Sequence, residues 1–410
     1  MKKITYIPIT VFLTLLCMST KNSAQITESP IAESESIHAD VITIDSHADI
    51  PLNFATETVD PLNAARQVTL EKMREGGLDF AFFIVYVGQT ERTPENYLQA
   101  QIDAMTKFNA IHRMTNEMYP ELIELAYSAN DVERIHTSGK LVAAIGIENG
   151  YVIGTDLSLL EKYYELGARY MTLAHSGHND ISDSSQPRPQ FGDSESEHDG
   201  ISQFGEKVID EMNRIGMMID ISHISKQAAL DAIRLSKAPV IASHSNARAL
   251  TDHYRNMDDE TLLALKKNGG VMQATALASF VKTSSNEEIE ASRQIISDYG
   301  IERISQWWDL TSEQRIEIKN KLSSIDYADI NDFIDHVDYA VNLIGIDHVG
   351  LSSDFDGGGG VLGWFDAAET FNVTLELVNR GYSREDIRKL WGGNLIRVWK
   401  EVERFSIETR

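Results

Sequence analysis

Cysteine is all but missing from this chain: its 410 residues hold one, Cys17, inside an N-terminal apolar stretch. Met1-Lys2-Lys3 supplies positive charge, Ile7 to Met18 is apolar, and Ser23-Ala24 offers small residues before Gln25. That pattern reads as a signal peptide over residues 1–24, removed on export. A mature chain beginning at Gln25 has no thiol, so disulfides, thiolate metal ligands and a cysteine nucleophile are all excluded. Any metal must be held by His, Asp and Glu. A lipid anchor through Cys17 is the competing reading, and Leu16 fits it poorly because a small residue is expected there. Long apolar runs are lacking as well. The stretch 7–18 is too short to span a bilayer, and the terminal ERFSIETR is polar, so neither a transmembrane anchor nor a C-terminal lipid signal is expected. The expected location is periplasmic or secreted.

Basic residues are in short supply. Lys+Arg number 37 against 62 Asp+Glu, a net charge of -25 that repels phosphate backbones and anionic lipid. Nucleic acid is therefore not an expected partner, and the charge serves solubility. The polar segment 25–39 reads as a flexible leader, and 40–410 as one folded domain.

From Asp40 onward, short apolar runs alternate with helical patterns. The strand candidates are 41–46, 78–87, 141–147, 168–174, 216–222, 238–243, 269–275 and 348–353. Near-continuous apolar strands separated by helices predict a parallel sheet covered on both faces. Eight such units predict an α/β fold of the (β/α)8 TIM-barrel type used by metal-dependent hydrolases. One segment breaks the rhythm: 280–329, after the seventh strand, is long, charged and contains Trp307-Trp308. It reads as a helical insertion on the loop side. A lid and a homodimer contact are its functional readings; a solvated decoration is the bland one.

Chemistry gathers where the strands end. The first closes on Asp45-Ser46-His47-Ala48-Asp49, the third on Glu148-Asn149-Gly150, the fourth on His175, the fifth on Ser222-His223 and the sixth on Ser243-His244. The eighth closes on Ser353-Asp354-Phe355-Asp356, followed by four glycines. In a barrel these ends share one rim, where active sites are built. Imidazoles and carboxylates crowded there bury charge at a cost unless a cation joins them. Residues two apart in extended chain share a side, so His47 and Asp49 suit one ion. His223 and His244 suit a second, and Glu148 can bridge the two. Two cations about 4 Å apart suit hydrolysis of an acyl bond, with a shared water made acidic enough to ionise near neutral pH. Nitrogen and carboxylate ligands without thiolate favour two Zn2+, with Mn2+ or Co2+ as substitutes. Asp354 is the candidate to hold that water and pass its proton on, with Asp356 as the alternative. His175 could polarise the scissile carbonyl, its bland reading being a hydrogen-bonded rim residue. Arg255, in the loop after the sixth strand, could clamp a substrate carboxylate, although surface arginines are usually only solvated. Asp180, Asp183 and the acidic run 193–199 read as loop solvation. His38, His112, His136, His178, His198, His253, His336 and His348 fit no strand-end position.

The strings IDSHAD, GIENG, YMTLAHS, FGEKVIDEMNRIGMMIDISHIS, IASHSNAR, RNMDDE, DHVGLSSDFDG and GGNLIRVW follow one another between about Val41 and Val402. In that order they resemble the membrane dipeptidase (renal dipeptidase) family of zinc metallopeptidases. The resemblance implies one zinc on His47 and Asp49, another on His223 and His244, and Glu148 between them. It also implies dipeptide contacts from His175 and Arg255, and catalytic-water handling by Asp354. Family members cleave dipeptides, often accept a D-residue at the C-terminal position, and in some cases open β-lactams. The segment 280–329 looks longer than its family counterpart, and without cysteine the disulfide-linked dimer of some animal relatives is excluded. Two other classes compete: a barrel hydrolase acting on another small amide, lactone or phosphoester, and a non-catalytic scaffold.

Overall fold

The computed structural model describes residues 29–301, 306 and 310–409. Its strands are β1 (Ile44–Asp49), β2 (Phe80–Tyr86), β3 (Ile123–Leu125), β4 (Leu141–Glu148), β5 (Ala168–Thr172), β6 (Met218–Asp220), β7 (Ile241–Ser245), β8 (Val271–Thr275) and β9 (Val349–Ser352). All pairings among them are parallel, in the order β1-β2-β4-β5-β6-β7-β8-β9, with β3 beside β4. The ring is completed at a seam where Ala48 bridges Phe355 and the Asp49 amide donates to the Phe355 carbonyl at 2.9 Å. Buried Asp45 pins the same seam by accepting the Ser353 amide at 3.0 Å and the Ser353 hydroxyl. All eight strands expected from sequence are present in a nearly closed (β/α)8 barrel. β3 is an addition. It pairs with 141–143 while β5 pairs with 145–147, so the two share the edge of β4 end to end.

Alternating side chains fill the barrel. Phe80 and Phe82, two residues apart on β2, point to the same side and pack with Tyr170 and Met218. Trp399 of the helix Asn394–Thr409 joins this cluster, its ring 6.0 Å from that of Phe82. The interior is packed throughout, and what chemistry the barrel can do is left to the carboxyl rim. Gly146 on β4 is part of this design: a Cβ there would stand 2.2 Å from the Tyr170 ring. Its absence lets Tyr170 cross the interior to reach β1.

One expectation changes. Within the supposed leader, Pro30–His38 is a helix capped by Ser29, with Ile37 buried. His38 anchors it, placing Nδ1 2.7 Å from the Thr374 hydroxyl and Nε2 2.9 Å from the Gly76 carbonyl. The polar composition that suggested mobility belongs to the outer face of this short helix. Residues 280–329 do contain helices, Asn286–Ser297 and Ser312–Ser323. Ile301, Ile318, Leu322 and Phe365 form a small apolar cluster beneath them. Trp307-Trp308 and the export segment lie outside the described residues. Among the described residues no helix is long and apolar enough to cross a membrane.

Candidate metal centre and substrate pocket

His47 lies on β1, fully buried, and its tautomer is fixed from behind. The Tyr170 hydroxyl donates to the Ser46 carbonyl at 3.0 Å, so it can accept from Nδ1–H of His47, also 3.0 Å away. The lone pair is left on Nε2, a buried atom with no hydrogen-bond partner among the described residues. His244 on β7 is set the same way. Ser243 Oγ donates to Asp220 Oδ2 at 2.7 Å and accepts from His244 Nδ1 at 2.7 Å, which frees His244 Nε2. Outer partners of this kind orient metal-binding imidazoles.

These lone pairs meet at the end of β4. Glu148 Oε1 stands 2.9 Å from His223 Nε2, 3.3 Å from His244 Nε2, 3.6 Å from His47 Nε2 and 3.7 Å from His175 Nε2. Asp49 Oδ2 lies 3.6 Å from His47 Nε2, and Asp354 Oδ1 3.9 Å from the same atom. Tetrahedral ligands about 2.1 Å from an ion sit about 3.4 Å apart. His47 lies near that spacing from both Asp49 and Glu148, at 3.6 Å, while His223, His244 and Glu148 are drawn tighter, at 2.7 to 3.3 Å. His223 Nε2 and His244 Nε2 are 2.7 Å apart, too close for two bare lone pairs without a cation or proton between them. The donor set around Glu148 therefore fits a divalent metal.

The protein atoms alone draw positive charge to this spot. Burial works to raise the pKa of Glu148, yet the imidazoles of His47, His175, His223 and His244 gathered around it hold it well below the ordinary value. Burial lowers the pKa of His47, but Glu148 and Asp49 lift it well above that of a free imidazole. For His223 and His244 burial wins, and both are pushed well down. Asp354, raised by burial and relieved in part by His47, is moved to about 8.

The backbone is bent to make the arrangement. Asn149, His223, Asp354 and Asp356 all adopt left-handed φ, between 58° and 84°, although none is glycine. Such conformations cost about 1–3 kcal/mol each and are tolerated where the site demands them. Gly357 leaves the necessary room, since a Cβ there would lie 2.3 Å from Asp49 Oδ2 and 2.5 Å from Asp354 Oδ1. Asp356 lines the cavity above the centre but is engaged by residues 66–68. It accepts the Gln67 and Val68 amides at 3.1 and 3.2 Å and pairs with Arg66 at 3.3 Å, so it supports the loop.

Above the centre opens a cavity of about 470 Å³ lined by Glu148, His175, His223, His244, Arg255 and Asp354, among others. Arg255 is buried, with Nη2 3.3 Å from the His244 carbonyl and the guanidinium 5.4 Å from the centroid of the Phe280 ring. Its Nε has no partner among the described residues, and burial lowers its pKa to about 10. Asp49, Glu148, His175, His223, His244, Arg255 and Asp354 all line this cavity, and fully buried His47 reaches within 3.6 Å of Glu148.

Others escaped the sequence reading. Asp220 accepts the amides of Ser222 at 3.0 Å and Ser243 at 2.8 Å, tying together β6 and β7 just below their histidines. Asp183, expected as loop solvation, is buried. It accepts the Glu197 and Gly200 amides at 3.0 and 3.1 Å and lies 3.5 Å from buried His178, organising the loop after β5. Arg66, Tyr86 and Lys107 line the cavity but come from no strand-end histidine or acidic motif.

Comparison with known proteins places this geometry. Residues 31–410 match the family described as membrane dipeptidase (peptidase family M19). Dipeptidase tcpJ of Claviceps purpurea is 33% identical over 344 residues, covering 83% of this chain and 70% of its own length. The crystal structure of the probable dipeptidase PvdM from Pseudomonas aeruginosa superposes with a TM-score of 0.80 at 32% identity, over 92% of this chain and 99% of that one. A metallopeptidase from Rhodobacter sphaeroides, solved with a phosphinate mimic of the dipeptide L-Ala-D-Ala, shares the fold at 22% identity and a TM-score of 0.68, covering 88% of this chain and 99% of that one.

Proposed function

The chain belongs to the membrane dipeptidases, peptidase family M19, and from that premise we propose that it is a metal-dependent dipeptidase working with two zinc ions. The observation that carries the reading is the convergence of four imidazole nitrogens on Glu148 Oε1, at 2.9 to 3.7 Å. His47 and Asp49 would hold one ion, His223 and His244 the other, and Glu148 both. Divalent ions there supply Lewis acidity and make water acidic enough to attack at neutral pH.

The protein's own groups do the rest. Asp354, beside His47, accepts the proton of the attacking water and delivers it to the departing amine. His175, facing Glu148 at 3.7 Å, is placed to donate to the carbonyl oxygen as negative charge builds on it. Arg255 receives the C-terminal carboxylate, a pairing strengthened by its burial. We extend the proposal to dipeptides with a C-terminal D-residue, on the strength of the family resemblance, and to export from the cytoplasm, on the strength of residues 1–24.

A panel of L,L and L,D dipeptides tests this directly. Zinc-loaded protein should release free amino acids from both kinds, a chelator should abolish the release, and added Zn2+ should restore it. Full activity in protein stripped of all metal would overturn the proposal.

A further inference from the structure

Lys107 lines the substrate cavity with no hydrogen-bond or ion-pair partner among the described residues. It lies on the helix Pro94–Arg113, where Ala100, Ala104, Phe108 and Ile111 are also buried. The lysine stem packs with that apolar face, and the residue lines the cavity shared with Asp49, Glu148 and Arg255. Only 5% of it is exposed. Its Nζ lies 5.5 Å from the centroid of the Tyr86 ring, and among the described residues no carboxylate or carbonyl comes within hydrogen-bonding distance. Keeping a desolvated ammonium without an anion is costly, so stability alone would favour a methionine or leucine here.

Neighbouring cations are differently placed. Arg66 is committed, donating to the Asp49 carbonyl at 2.8 Å and pairing with Asp356 at 3.3 Å. Arg255 sits by His244, with Nη2 3.3 Å from its carbonyl. With the C-terminal carboxylate at Arg255 and the scissile carbonyl over Glu148, the N-terminal residue of a dipeptide is left to the remaining walls of the cavity, among them Asp49 and Lys107. A neutral side chain there leaves the Lys107 ammonium facing the substrate's own ammonium. An acidic side chain pairs with it.

We propose that Lys107 is a specificity-determining residue whose ammonium, without an anion bound to it in the cavity that Asp49 also lines, selects an aspartyl or glutamyl side chain on the substrate's N-terminal residue. The assignment rests on the dipeptidase reading. The test compares kcat/KM for glutamyl-alanine and glutaminyl-alanine, which differ only in that charge, using zinc-loaded enzyme. Wild type should prefer the glutamyl peptide by about 10- to 100-fold, as expected for a hydrogen bond to a charged group. Lys107→Met should bring the ratio close to one, and Lys107→Arg should keep it above one. A wild-type ratio near one overturns the assignment while leaving the dipeptidase reading intact, and it does so whether or not the variants fold. So does a Lys107→Met enzyme that loses both activities equally, which would mean that Lys107 holds the backbone of every substrate. Hydrolysis of neither peptide, nor of any other dipeptide, would instead reject the underlying function.

Discussion

Replacing Glu148 with Gln is expected to lower kcat/KM for dipeptides by at least about 1000-fold, or about 4 kcal/mol of transition-state stabilisation. Glu148 Oε1 is the atom on which His223, His244, His47 and His175 converge, between 2.9 and 3.7 Å. An amide of the same size removes the negative charge that the two proposed cations would need between them. It also puts an NH2 group, which cannot bind a cation, on one side of a site that requires two acceptors. The fold should survive. β4 is held through backbone pairing with β2, β3 and β5, and the Glu148 side chain faces site groups instead of the apolar core. Near-UV circular dichroism and melting temperature should stay close to wild type while turnover disappears. A folded Gln variant with wild-type turnover would show that Glu148 is not shared between the ions.

Arg255→Met should cost about 100-fold in kcat/KM, or about 2.7 kcal/mol, with most of the change in KM. A buried guanidinium tied to the protein through the His244 carbonyl at 3.3 Å, with an idle Nε, is an arm waiting for an anion. Methionine keeps much of the stem that packs near Phe280 and removes only the charge and the donors. The control is chemical. A dipeptide whose C-terminus is an amide should be a poor substrate for wild type and should lose little more in the variant, because the two changes delete the same contact. If Arg255→Met and wild type discriminate equally between acid and amide, the carboxylate is held elsewhere.

Much of the candidate metal centre was legible in the sequence because its proposed ligands occupy equivalent places in a repeated unit. His223 and His244 each follow a serine at the end of an apolar run, and His47 and Asp49 sit two apart at the end of another. What the sequence could not display was support that arrives from across the barrel. Asp45 and Asp220 stand inside strands, where they look like breaks in an apolar run. Their purpose appears only when Ser353 and Ser243 are brought beside them. Tyr170 reads as a core aromatic until its hydroxyl is found against His47. Lys107, on a helix between β2 and β3, has no motif around it and becomes visible only as a wall of the cavity. The helix Pro30–His38 was missed because most of it faces water, leaving Ile37 and His38 to carry its contact with the barrel. β3, three residues long, falls below any periodic signal.

Counting the metal tests the two-ion centre most directly. Wild-type protein equilibrated with zinc and freed of loosely held ions should contain two zinc ions per chain by elemental analysis. X-ray absorption should show a shell of nitrogen and oxygen at about 2.0–2.1 Å and no sulfur. One zinc per chain, or none, would contradict a pair of ions joined through Glu148.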